Sequence, residues 1–470
     1  MYYNLNTFVM SHKRTSIIAI IALIGVLPAF AQNTATGYFN DGYLYRHEMN
    51  PAISNSQSYI AMPGISNINI GLRSNIGVKD VLFNRNGKTT TFLNPNVSSD
   101  EFLSNIEDKN RTTVDLKVQL LGFGFKGFKG YNHFGINVRS NVSTLIPGSL
   151  FELAKEGARN KNYDISDFKA HADAYTEISL GHAHKINDHL DIGATIKVLL
   201  GGANVDAEFN KAQLSLQEDQ WHAVTNAEVQ ASIKGLTYKE ETKMRGVEGK
   251  MKQHTYVNNL DVKKTGLNGF GLGLDLGAIY TLNDSWRFSA ALLDLGYITW
   301  NNNMVASTDG DQTFTTDTYL FNVDDEADNS IDNEIDRLGE GLAVLYELKD
   351  KGDAGSRSTA LAATMNLGVE YTLPTYKNLS FGLLNTTRMK GDYSWTEFRL
   401  SANWHTGKAL SLSANVAAGT FGTSFGWMLN LHPNGFNFFI ASDHSLGKLA
   451  KQGVPLSANG HVNIGINFPL

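Results

Sequence analysis

Apolar and polar residues take turns along most of this chain. In residues 113–122, Val114, Leu116, Val118 and Leu120 oppose Asp115, Lys117 and Gln119. In 134–142, Phe134, Ile136 and Val138 oppose Asn137 and Arg139, and in 190–200, Leu190, Ile192, Ala194, Ile196 and Val198 oppose Asp191, Thr195 and Lys197. Further on, Phe398, Leu400, Ala402 and Trp404 oppose Glu397, Arg399, Asn403 and His405. The last ten residues, HVNIGINFPL, set Val462, Ile464, Ile466 and Phe468 against Asn463, Gly465 and Asn467. Side chains of a strand alternate between its faces, so each segment predicts a strand with one oily and one wet face.

The oily faces need a neighbour. No set of long amphipathic helices exists to cover them, which leaves a second sheet or lipid. Strand length decides. Runs of about ten residues suit a tilted membrane crossing, whereas soluble strands average about five or six. The chain therefore reads as all-β, a transmembrane antiparallel β-barrel of about fourteen strands (twelve to sixteen), lipid outside and a polar lumen inside. Short turns at 129–132, 187–188 and 406–408 join neighbours as hairpins. Trp286, Tyr297, Trp300, Trp395, Trp404 and Trp427 fall near strand ends, where interfacial rings are expected.

Residues 1–31 read as a signal peptide. His12, Lys13 and Arg14 are basic, residues 17–27 form an apolar core, and Ala29-Phe30-Ala31 is a cleavage site with cutting expected after Ala31. That core is shorter than the ~20 residues a spanning helix needs. Met10 would serve as a start as well as Met1. The exported remainder, 32–470, belongs in the outer membrane, with the lipid bilayer as its first partner.

Composition agrees. Charged residues are 18% of the chain, below the usual ~25%, and hydrophobic residues only 42%, which suits a barrel better than a large dry core. With no cysteine, disulfides, thiolate metal sites and lipoprotein acylation are excluded. A net charge of −6 gives no sign of nucleic-acid binding.

Three insertions interrupt the strands. Ser98-Ser99-Asp100-Glu101 opens a short helix with Phe102, Leu103 and Ile106 on one side, and 147–158 reads as another, with Pro147 in its first turn. Residues 301–356 form an acidic helical loop insertion in which Ile331, Ile335, Leu338, Leu342 and Leu345 recur at helical spacing. Its Asp332, Glu334 and Asp336 read as a solvated face; calcium would need a ligand order that is missing.

Candidate chemistry is sparse. No nucleophile elbow, Walker loop, HExxH or paired-carboxylate motif occurs, so no catalytic residue, cofactor or metal is assigned. His182 and His184 share a strand face and could chelate, but that face is the oily one of Ile178 and Leu180, and no third ligand is placed. Gly269-Phe270-Gly271-Leu272-Gly273 is no nucleotide loop, because its alternation continues as strand and no helix follows. Asp115, Lys117, Arg139, Asp191, Lys197, Glu397 and Arg399 share the wet parity. A Lys or Arg facing lipid at mid-depth costs roughly 2–4 kcal/mol, so these seven are expected in the lumen, as a salt-bridge network or a solute-selecting lining.

Behind the leader come Tyr43-Leu44-Tyr45-Arg46 and then Asn50-Pro51-Ala52. This opening resembles that of the FadL-type outer-membrane channels, which carry long-chain fatty acids and aromatic hydrocarbons. The run from Leu292 to Trp300, LLDLGYITW, resembles a recurrent strand of that superfamily. The overall layout is most similar to a Bacteroidota barrel family of unknown function. The chain departs from the usual pattern in ending on Leu470 after Phe468-Pro469 rather than on an aromatic residue. The resemblance implies an N-terminal hatch segment (32–57) in the lumen and a passive channel for small hydrophobic or amphipathic solutes. The alternatives are a non-transporting scaffold or secretion-system partner resembling the PorV-type proteins and, further off, an outer-membrane enzyme.

Overall fold

The computed structural model describes residues 34–247, 250–316, 331–407, 409–445 and 459–470. The signal peptide and its cleavage site lie outside the described residues. Fourteen antiparallel strands close into a barrel. They are β1 (Tyr59–Ala61 with Ile68–Ser74), β2 (Lys109–Gly127), β3 (Gly130–Pro147), β4 (Lys169–Lys185), β5 (Leu190–Leu216), β6 (Gly269–Thr281) and β7 (Trp286–Trp300). The circuit continues through β8 (Arg357–Ala360 with Ala363–Thr372), β9 (Leu379–Met389), β10 (Trp395–His405), β11 (Leu410–Gly419), β12 (Gly422–Leu431), β13 (Asn437–Ser442) and β14 (Gly460–Pro469). Each strand pairs with its sequence neighbour, and β14 closes the ring on β1, with Ile68 opposite Ile464 and Tyr59 opposite Pro469.

The alternation sorts the two faces. Ile196 is 62% exposed and Leu400 57%, while their neighbours Lys197 and Arg399 are 6% and 2% exposed. Outward Phe270, Leu272, Leu383, Phe398, Val416 and Phe425 extend the apolar surface around the wall. So large a contiguous apolar surface is foreign to water-soluble monomers. None of the described helices is long and apolar enough to cross a membrane, so crossing falls to the strands.

Outward rings set the height of the belt. Trp286, Tyr280, Tyr376, Trp404, Phe436 and Phe468 lie toward the short-turn end, where the Trp404 indole donates to the Tyr376 hydroxyl at 3.0 Å. On β7 the outward face runs from Trp286 to Tyr297. That span, at about 3.3 Å per residue and a tilt of about 40°, gives roughly 28 Å, close to the ~25 Å apolar band of such barrels.

Two of the rings expected at the interface are elsewhere: Trp300 and Trp395 are buried in the lumen. Trp395 shares the inward parity of Glu397 and Arg399. Trp300 is turned inward by a bulge. The pairing of β6 with β7 slips at Asp294, whose backbone takes φ 56°, and the outward positions change from even to odd across it. A second bulge at Leu120 does the same on β2, leaving both Leu120 and Leu121 outward.

Opposite the short turns, the wall is tall on one side. β5 continues beyond the belt and pairs with strand Trp221–Ile233, which carries Asn303–Ser307 and Gln312–Thr315 on its other edge. The hairpin Leu236–Val247 with Lys250–Val262 packs on this sheet through Leu236, Tyr238 and Val257 against Val205, Val229, Ala231 and Leu348. The helix Ile331–Val344 adds Leu338 and Leu342, beside Leu345, over Ala223 and Phe314. The insertion is therefore a packed cap with strands of its own. Within the helix, Glu334 is buried and pairs with Arg337 at 3.0 Å, so only Asp336 of the expected solvated acids whose side chains are described faces solvent. Elsewhere in the cap, hydrogen bonds from Lys349 and Lys351 hold the Asp309 carboxyl down to about 2. The two shorter insertions also fold as helices. Ser98 caps Ser99–Leu103 by accepting from Glu101 N at 3.1 Å, and Pro147 sits at the N-cap of Gly148–Glu156 rather than inside its first turn.

Replacing Leu400 by Arg places a guanidinium against hydrocarbon at mid-strand. The expected loss is about 2–4 kcal/mol of unfolding free energy in vesicles, read by denaturant titration of tryptophan fluorescence.

Candidate functional site

The lumen is filled by the chain's own N-terminal segment. Residues 34–58 enter beside β1 and β14, form 3-10 turns at Ala35–Gly37 and Arg46–Glu48, and occupy the short-turn half of the barrel. Tyr38, Phe39, Tyr43, Tyr45 and Met49 are buried there with Tyr59, Tyr131 and Phe439 of the wall. Edge-to-face contacts order these rings, with Tyr43 and Phe439 centroids 5.0 Å apart.

Side-chain hydrogen bonds anchor the segment at both ends. The Asp443 carboxylate accepts from Ala35 N at 2.9 Å, Thr36 N at 2.7 Å and Thr36 Oγ1 at 2.6 Å. Asn40 donates to Ser413 Oγ at 2.9 Å and accepts from Ser411 Oγ at 2.7 Å. Asn366 Nδ2 donates to Met49 O at 2.9 Å, and Tyr45 to Asn467 Oδ1 at 2.5 Å. Asp41 pairs with Arg46 and lies 3.7 Å from Arg287 of the wall.

Asn50, Pro51 and Ala52 form the tight turn at the foot of this segment. Asn50 Oδ1 accepts from Ala52 N at 3.0 Å, while Asn50 Nδ2 reaches the Ala278 and Ala290 carbonyls at 3.3 Å. The wall makes room with two glycines. A Cβ on Gly277 would lie 2.1 Å from Asn50 Oδ1, and one on Gly193 would lie 2.1 Å from Pro51 O. Only glycine tolerates so close an approach.

Above the segment, charges bridge the lumen in layers. Arg139 donates to both oxygens of Asp294, at 2.9 and 3.0 Å, and to Glu177 at 2.8 Å. Lys197 sits between Asp294 at 2.6 Å and Asp275 at 2.7 Å, and Lys117 reaches down to Glu48 of the segment at 2.7 Å. Higher up, Asp115 accepts from Asn141 at 2.7 Å and Arg388 at 3.1 Å, with Arg73 at 3.5 Å. At the mouth, Lys390 meets Asp173 at 3.1 Å, and Arg357 meets Asp206 at 2.5 Å. Between the segment and these layers lies a cavity of about 50 Å³, touched by His47, Glu48, Arg73, Lys117, Lys197 and Trp395 among others.

Of the seven lumen candidates, Asp115, Lys117, Arg139, Lys197 and Arg399 are in this ionic interior, and Glu397 pairs with Arg399 at 2.6 Å. Asp191 stands apart, half-exposed at the foot of β5. Reading the sequence missed Glu48, Arg73, Glu177, Asp275, Asp294 and Arg388. Asp275 carried a signal, as the one charge in the glycine-rich strand 269–277. Asp294 did not, since only the bulge turns it inward. His182 and His184 face outward at the short-turn end of β4, where the His182 Nδ1 lies 2.9 Å from Asn132 Oδ1. Among the described residues, no three His, Asp or Glu side chains are placed to hold a metal ion.

Two substitutions test this packing. Lys197→Met strands Asp275 and Asp294 beside Arg139 alone and is expected to cost about 3–5 kcal/mol in denaturant unfolding. Gly277→Val drives a methyl group into Asn50, so a cysteine introduced at Ala52 should react with a water-soluble maleimide at least tenfold faster than in the parent.

Residues 51–443 match the model of a family of unknown function, DUF5723. No curated protein matches the chain. Among solved structures, the chain is similar to the Ralstonia pickettii toluene transporter TbuX, at 9% identity, covering 90% of this chain and 92% of that one with a TM-score of 0.39. The Pseudomonas putida toluene transporter TodX matches at 8% identity, 93% and 94% coverage and a TM-score of 0.39. A Pseudomonas aeruginosa FadL homologue matches at 10% identity, 94% and 98% coverage and a TM-score of 0.34. With more than three quarters of its length matched by that family's model, the chain belongs to the DUF5723 family.

Proposed function

We propose that this protein is an outer-membrane channel for small amphipathic solutes, held closed by residues 34–58. The observation that carries the reading is how that segment is held: by side-chain hydrogen bonds, aromatic packing and glycine notches, with no strand pairing before Tyr59 among the described residues. None of these contacts belongs to the strand ladder, so the segment can leave its seat while the barrel's backbone pairing stays intact.

The interior narrows the choice of solute. Tyr175, Leu199, Ile298 and Trp300 form an apolar cluster in the upper lumen, above the charged layer. An apolar moiety can rest there, but farther down it would meet Arg139, Lys197 and Asp294. Separating a hydrocarbon-sized gap in that network leaves buried charges unpaired, at several kcal/mol. A solute carrying its own polar group replaces some of those contacts. This favours amphipathic molecules over pure hydrocarbons. The mechanism is docking at the mouth, rearrangement of the ionic layer, and displacement of the turn at Asn50-Pro51-Ala52.

A second reading, a non-transporting scaffold or secretion-system partner, is favoured by one specific feature: charged pairs cross the lumen at several levels above the segment. The two readings diverge in a planar bilayer. Asp443→Ala removes three hydrogen bonds from the segment's upper end, and a channel should respond with at least a tenfold rise in open probability over wild type. Absence of conductance both in Asp443→Ala and in a variant lacking residues 34–55 would exclude the channel and leave the scaffold.

A further inference from the structure

The ionic interior is unevenly matched, with an acid-rich group and, from a cation-rich one, Arg73 lining the same cavity. In the first, three carboxylates, Glu177, Asp275 and Asp294, share two cations, Arg139 and Lys197. In the second, two guanidiniums share a single carboxylate. Arg388 bonds Asp115 at 3.1 Å, and Arg73 is left 3.5 Å from the same group, which Asn141 already occupies at 2.7 Å. Arg73 is therefore the under-paired cation of the lumen. It is 4% exposed, and its guanidinium lies across the lumen against Trp395, 4.8 Å from the ring centroid.

Two donors at this place are idle. Arg73 Nε and Trp395 Nε1 are both buried, and neither has a hydrogen-bond partner among the described residues. Buried donors without partners are rare, because each loses its water without a replacement unless something accepts from it. Both side chains line the cavity of about 50 Å³. Glu397 lines it too, but its charge is taken up by Arg399 at 2.6 Å. What is missing here is a small acceptor with a negative charge.

We propose that Arg73 and Trp395 form a carboxylate-binding site in the lumen. A carboxylate there accepts from Arg73 Nε and Trp395 Nε1 and neutralises the surplus guanidinium, while the carboxylate-rich wall opposite prevents the reversed orientation. The cavity admits the carboxylate and one or two carbons. The ligand is thus a short organic acid of two or three carbons, its alkyl end toward Leu293, Leu384 and Met49, which line the same cavity. The site stands on its own geometry; its part in passage rests on the channel reading above.

Isothermal titration of the mature protein in detergent tests the site, with propionate, octanoate and octylammonium as probes. Arg73→Gln should weaken carboxylate binding at least tenfold, and Trp395→Phe, which removes the N–H together with part of the ring, about fivefold. Heat-modifiable migration on gels checks that each variant is folded, and Trp395→Phe serves if Arg73→Gln is not. Binding of propionate supports the site, whereas binding of octanoate alone, which this cavity cannot hold, overturns it. No binding of either acid, equal affinity in folded variants, or tighter binding of octylammonium overturns it. Carboxylate binding that depends on Arg73 in a protein without conductance keeps the site and removes transport.

Discussion

In hydrocarbon no backbone N–H or C=O can be left without a partner, and the rest of this structure follows from that constraint. Strands with one oily face can meet it only by pairing on both edges until the sheet closes on itself. β14 meets β1 for this reason, and the circuit has no free edge among its fourteen strands. The same closure leaves the polar faces of all fourteen strands looking at one another across a narrow space, and that space has to be filled.

The filling is of two kinds, and they differ in how firmly they hold. The charged layer is built from residues fixed to the wall, where Arg139, Lys197, Asp275 and Asp294 satisfy one another at hydrogen-bond distances. Taking away any one member strands the others. Among the described residues, the N-terminal segment joins the wall covalently where it runs into β1 and otherwise depends on contacts such as Thr36 with Asp443 and Asn40 with Ser413. Lys117 joins the two kinds of filling through Glu48. A change in the charged layer is thereby felt at the segment, and under the proposed channel reading the two act as one gate. The surplus cation at Arg73 is a by-product of the same crowding: two guanidiniums, Arg73 and Arg388, converge there on the one carboxylate of Asp115.

Much of this was legible from alternation. Parity alone put Lys117, Arg139, Lys197 and Arg399 inside and Ile196, Leu400 and Phe398 outside, because a strand side chain has only two directions to choose from. Trp300, expected at the interface as a ring near a strand end, lies inside, and Asp294 has no signal, since a single bulge at φ 56° inverts every position after it and leaves no mark in the hydrophobic pattern. Glu334 reads as a solvated acid in the sequence because helical periodicity does not reveal the Arg337 pairing or the depth of the cap.

The sequence by itself determined the strand faces, the closed architecture they require and the helix in the long insertion, because each depends on spacing between near neighbours along the chain. Which charges meet across the lumen, how Asn50, Pro51 and Ala52 seat against Gly193 and Gly277, and why Arg73 lacks a full partner were decided by the tertiary structure alone. Those contacts join residues up to four hundred positions apart, and the shear and bulges of the closed barrel, which no local pattern encodes, set which of them come within reach.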